Sequence, residues 1–173
     1  MKFLTASICI LGMIGVVIGV TIRAAETGTI SATVTARNSC INRTDSEGTI
    51  EYGTVNLNSS TSTEPTTGSN QPTTFDNCGS SAQFNIMTDR FSSGVGTDWT
   101  PGGGAASNVF VHSFATTSGL TWQALQVEDT YETASSTVSS GADLTVYLKL
   151  DMPTASNDYD QKSTTVTLQA VAQ

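Results

Sequence analysis

Apolar and polar side chains alternate along most of this chain in short runs, and the period is two rather than 3.6. Residues 143–152, DLTVYLKLDM, carry the pattern best. Leu144, Val146, Leu148 and Leu150 fall on one side and Thr145, Tyr147, Lys149 and Asp151 on the other, the signature of a half-buried strand. Pro153 lacks a ladder donor and ends it. The same alternation predicts strands over 29–36 (TISATVTA) and over 82–88 (AQFNIMT, Phe84 and Ile86 on one face). It predicts another over 109–114, with Phe110, His112 and Phe114 opposite Val109, Val111 and Ser113. Two more follow over 120–127, with Leu120, Trp122 and Ala124 together, and over 162–172, where Val166, Leu168 and Ala170 align. Residues 49–57, TIEYGTVNL, give a further strand, with Gly53 placed for a bulge.

Between these runs the chain is polar. Residues 58–74 are rich in Ser, Thr and Gly and contain Pro65 and Pro72, which predicts a loop or an irregular edge. Residues 94–104 read as a flexible connection that carries Trp99 just ahead of Pro101-Gly102-Gly103-Gly104. No stretch beyond residue 25 sustains a helical period. Short strands punctuated by turn residues predict an all-β domain, an immunoglobulin-like antiparallel sandwich of about 7–9 strands.

The first 25 residues break the pattern. Lys2 precedes an almost wholly apolar run, 3–22, and the small residues Ala24 and Ala25 follow. This is the layout of an N-terminal signal helix cleaved near residue 25. Arg23 also suits the flank of an uncleaved anchor, and the run has about the 20 residues that cross a bilayer. Membrane contact is expected only through this segment. Cys9 follows Ile8, where lipid attachment wants a small residue, so it reads as an apolar filler. Residues 26–173 then form one domain, long enough for a real core.

Composition narrows the class. The chain is 13% charged and 38% hydrophobic, which is not the signature of disorder. Removing Lys2 and Arg23 from a formal charge of −8 leaves −10 for the exported domain. That balance repels nucleic-acid phosphates and anionic lipid alike. Cys40 and Cys78 are the cysteines left beyond the signal. An even pair in an exported chain predicts one disulfide, worth about 4 kcal/mol by chain entropy. Neither has a Cys or His at metal-ligand spacing.

The final third, 109–172, joins an aromatic-rich hairpin (VFVHSFATTSGLTWQAL) to ADLTVYLKLDMPTASNDYDQKSTTVTLQAVA. A strand, a Pro-led loop and a last strand in this order resemble small exported bacterial and archaeal β-sandwich surface proteins. More loosely, they are similar to the TasA and camelysin group of fibre-forming matrix proteins. The resemblance implies a surface or fibre role. The metallopeptidase label attached to camelysins does not carry over, because the chain has no HExxH and His112 is its sole histidine.

Candidate chemistry is sparse. His112 lies in a predicted strand without a nucleophile-elbow motif, which favours a structural or surface histidine over a catalytic one. Asp158 and Asp160, with Asp151, flank the Pro153 loop, and Glu128 and Asp129 share another. They are weak candidates for a cation site, since their spacing matches no calcium loop and Asp suits turns in any case. Trp122 reads as core. Trp99, in its Gly-rich loop, is the leading candidate for ligand contact, as an aromatic that can stack on sugar rings. Asn42-Arg43-Thr44 and Asn58-Ser59-Ser60 match the glycosylation sequon, a common triplet in a chain this rich in Ser and Thr.

No cofactor and no enzymatic activity is expected. The leading expectation is a secreted or cell-surface structural or adhesive module, such as a fibre or matrix subunit, whose partners are copies of itself, joined through the terminal strands 29–36 or 164–172, or other surface components. The alternative is an extracellular carbohydrate- or ligand-binding module built around Trp99.

Overall fold

A computed structural model describes residues 37–44, 49–63, 71–116 and 121–173. All belong to one compact unit, Ala36–Gln173. The hydrophobic leader and the expected strand 29–36 lie outside the described residues. The domain is all-β: among the described residues there is no helix. Ten strands form, namely β1 (Asn42–Arg43), β2 (Ser60–Ser62), β3 (Thr73–Asp76), β4 (Ala82–Thr88), β5 (Thr100–Pro101), β6 (Val109–Ala115), β7 (Gln123–Leu125), β8 (Glu132–Val138), β9 (Asp143–Asp151) and β10 (Val166–Ala172). They exceed the expected 7–9 because several are pieces of two or three residues.

The larger sheet is organised on β9, the strand with the cleanest alternation. One of its edges pairs with β6, Val111 opposite Asp151 through Ala115 opposite Tyr147. The other is shared by two short strands, β3 against Val146 to Asp143 and β2 against Asp151 to Lys149. Thr63 prolongs β2: its N–H donates to the Leu148 carbonyl at 2.9 Å, and its hydroxyl accepts from the Leu148 N–H at 3.0 Å. β1 adds outside β3, and β7 and β5 both pair with β6. The β5–β6 pairing is parallel, Thr100 opposite Val109, so the expectation of a purely antiparallel domain is corrected at this edge. The smaller sheet has the order β10-β4-β8. β10 pairs with β4 in unbroken register from Val166 opposite Thr88 to Ala172 opposite Ala82.

The two sheets meet through one core. Ala82, Phe84 and Ile86 of β4 pack with Phe114, Leu125, Val138, Leu144, Val146 and Leu148, and half-buried Val166, Leu168 and Ala170 of β10 close against them. A second cluster, Phe91, Trp99, Phe110, Leu150 and Met152, takes Tyr52, Val55 and Leu57 as its cover. Cys40 and Cys78 form the expected disulfide, their Cα atoms 5.0 Å apart. Beside it, buried Asn77 donates to the Val138 carbonyl at 2.7 Å and to the Ser80 carbonyl at 2.9 Å. It thereby ties the β3–β4 turn to the β8–β9 turn.

Several expectations are corrected. Residues 49–57 form no strand. Gly53 sits at φ 67°, a left-handed turn that glycine adopts without steric cost, and it breaks the ladder a bulge would have kept. The apolar side chains of the segment still pack inward. The polar stretch 58–74 contributes β2 and the start of β3, and ETASSTV, read as no element, forms β8. In β7 the fully buried residue is Leu125 on the opposite face from Trp122, which is only half-buried.

Candidate functional site

Among the described residues the sheets do not close along the side where β10 and the irregular segment 49–55 line a common opening. A cleft of about 1030 Å³ opens there. Its buried lining includes Ile86, His112, Leu148 and Leu150, and its half-buried lining includes Ile50, Tyr52, Val166 and Leu168. The mouth carries Tyr159, which is 78% exposed.

The β10 edge along the cleft can be read from its hydrogen bonds. The Asp89 N–H donates to the Thr165 carbonyl and the Gln173 N–H to the Ser81 carbonyl. Backbone groups alternate sides along a strand, so odd-numbered residues of β10 face β4 and Val166, Leu168 and Ala170 turn their N–H and C=O groups outward. Ala172, at the end of this row, donates to Ser39 Oγ at 3.1 Å. Among the described residues no strand pairs with this edge.

Beneath the cleft lies His112, 1% exposed. Its Nε2 is 3.0 Å from the Tyr52 hydroxyl, and its Nδ1 is 3.0 Å from Thr88 Oγ1. The Thr88 hydroxyl also reaches the Asp89 carbonyl at 3.2 Å. One proton arrangement satisfies every group: Thr88 donates to Asp89, Nδ1–H donates to Thr88, and Tyr52 donates to Nε2. The ring is then neutral. Burial lowers its pKa to about 4 and pushes the Tyr52 phenol above its ordinary value. Phe91 and Phe110 surround the ring. His112 is therefore a buried, bonded residue, and its polar contacts are not those of a triad.

Trp99 is not on the surface. It is 8% exposed, because β5 pairing and the antiparallel bridge of Phe91 to Trp99 fold the Gly-rich connection back onto β6. Its Nε1–H donates to Ser156 Oγ at 2.9 Å, and Lys162 Nζ stands 5.4 Å from its ring centre. Its ring edges the cleft from within the second core, so the exposed sugar platform expected from the loop is corrected.

Two of the acids near Pro153, Asp158 and Asp151, are committed to the protein itself, and Asp160 is exposed. Asp158 accepts from Lys162 Nζ at 2.6 Å and from the Thr97 N–H at 2.9 Å, and its other oxygen accepts from the Asp160 N–H at 3.0 Å. Hydrogen bonding to Lys162 and to the Asp160 amide holds its carboxyl below the usual carboxylate range. Asp151 pairs with Lys149 at 2.9 Å. Glu128 and Asp129 meet a residue that sequence spacing did not place with them, Asp89, with ligand atoms within 4.8 Å of one another. Glu128 there is already held by Arg90 at 2.6 Å.

Sequence reasoning missed the Tyr52–His112–Thr88 chain, whose members stand on three separate segments. Only the burial of a lone histidine between phenylalanines hinted at it. No family model matches this chain, and no curated protein matches it.

Proposed function

We propose that this domain is an exported structural subunit, an immunoglobulin-like sandwich whose described strands leave the β10 edge open, which joins other copies by accepting an extended segment beside β10. The observation that carries the reading is the outward row of Val166, Leu168 and Ala170 backbone groups next to an apolar cleft. A strand added there gains main-chain hydrogen bonds along β10, while its inward side chains fill the cleft. The C-terminal strand is paired with its own β4, which leaves 29–36, TISATVTA, as the segment to be donated. The disulfide fits an oxidising, extracytoplasmic destination. The histidine that lines the cleft is bonded to Tyr52 and Thr88, and the role proposed is mechanical.

Electron microscopy of the purified protein tests this. Filaments are expected, and a form lacking 26–36 should give single particles that bind a synthetic 29–36 peptide. Monodisperse particles from the intact exported protein overturn the proposal. The exposed ring of Tyr159 at the cleft mouth favours one alternative, a carbohydrate-binding module, which glycan-array binding by such particles and its loss in Tyr159→Ala would support.

A further inference from the structure

We propose that Tyr52, His112 and Thr88 form a proton-operated latch: protonation of the buried His112 ring detaches Tyr52, and with it the segment 49–57, and opens the cleft between the sheets. The inference does not depend on what occupies the cleft.

The geometry carries it. Residues 49–57 have no strand ladder to hold them, and their attachment is by side chains: Tyr52, Val55 and Leu57 on the second core and Ile50 on the first. The specific polar bond of this attachment is from the Tyr52 hydroxyl to His112 Nε2. It requires a lone pair on that nitrogen, and the Nδ1–H to Thr88 bond fixes the tautomer that supplies one. When the ring gains a proton, Nε2 becomes a donor. The Tyr52 hydroxyl must then give up its acceptor, and a positive charge stands between Phe91 and Phe110 with no carboxylate bonded to it. Water entering the cleft relieves that charge, and the cover over His112 is Tyr52.

The charged groups on the surrounding elements do not offer a substitute partner. Glu51 beside Tyr52 is exposed. Asp89 and Arg90 follow Thr88; Asp89 Oδ1 accepts from the Arg90 N–H, and the Arg90 guanidinium holds Glu128. Lys149 and Asp151 on β9 pair with each other, as do Asp158 and Lys162 in the loop after Pro153. On β7 and β9 the residues opposite His112 are Leu125 and Leu150. Burial is the main cause that keeps the ring neutral down to about pH 4, and the Tyr52 bond to Nε2 favours the same form.

Hydrogen–deuterium exchange by mass spectrometry on the full chain reads both halves of the latch. Exchange at the histidine C2–H reports the charge of the sole histidine, and amide protection, normalised for intrinsic rate, reports 49–57. The expected result is a His112 midpoint near 4, with protection of 49–57 falling at least about tenfold over the same range while β9 stays protected. His112→Gln should keep 49–57 protected through that range. Tyr52→Phe removes the bond that favours the neutral ring, so the histidine midpoint should rise. Protection of 49–57 that persists once His112 is charged overturns the latch, as does simultaneous loss from β9. A Gln variant that opens at the same pH, or, where that variant does not fold, a Tyr52→Phe midpoint that stays in place, overturns it equally.

Discussion

The two apolar clusters are built by different means. The first, around Phe84, Ile86, Leu144, Val146 and Leu148, is made of strands whose alternate side chains point inward. Its residues are fixed twice, by packing and by ladder hydrogen bonds. The second, around Phe91, Trp99, Phe110 and Met152, draws most of its members from connections: a bridge, a Gly-rich turn, and the ladderless cover of Tyr52, Val55 and Leu57. Its precision comes from side-chain bonds such as Trp99 to Ser156 and Asp158 to Lys162. The first core should therefore set global stability, and the second should open locally before the domain unfolds.

The harshest test removes 164–173. That takes β10 from the first core and bares β4 while leaving the second core's residues in place. Val166, Leu168 and Ala170 together with a seven-residue register represent several kcal/mol, against a typical total of about 5–15 kcal/mol. The truncated chain should lose its cooperative thermal transition or aggregate through the new edge. A soluble, folded monomer by circular dichroism and gel filtration would remove β10 from the core.

Next come matched truncations. Phe84→Ala should cost about 3–5 kcal/mol of global stability in urea titrations. Phe91→Ala, which removes the edge-on contact with Phe110 at 4.7 Å, should speed amide exchange over 92–102 while leaving β4 exchange unchanged. Equal effects on β4 from both would show the two clusters to be one cooperative core.

A pH titration acts on the boundary between them. Burial lowers the His112 pKa to about 4 from 6.5. Between those values the unfolded chain binds the extra proton, so stability is full above about pH 6.5 and declines as the pH falls toward 4. The decline amounts to roughly 3 kcal/mol, measured by urea midpoints, and His112→Gln should flatten it. The smallest expected effect is Trp99→Phe, about 1–2 kcal/mol, from leaving Ser156 with one partner fewer and weakening the contact with Lys162.

The same contrast explains what was legible in the sequence. β4 runs over the residues its alternation marks, and β9 ends one residue earlier than expected, because strands buried on one face write their period into the chain. ETASSTV of β8 hides because its side chains are mostly hydroxyls on an edge. The 49–57 segment shows the reverse case: its apolar residues alternate for packing, yet the turn at Gly53 keeps its backbone out of any sheet. Trp99 was misplaced because glycines nearby suggest exposure, whereas here they let the chain fold tightly against β6. The partnership of Tyr52 with His112 spans 60 positions and leaves no local mark.

The disulfide has a mechanical consequence. Any pull on the chain upstream of residue 37 reaches Cys40 within a few residues and passes through sulfur to Cys78, at the threshold of β4. The stretch between the cysteines, a sequence separation of 38, is bypassed, so β1, β2, β3 and the 49–57 cover carry none of the load. Fully extended, that bypassed stretch would add about 130 Å of length. While the bond is oxidised the domain can be tugged from its N-terminal side without paying out this slack, and reduction would turn a stiff link into an extensible one.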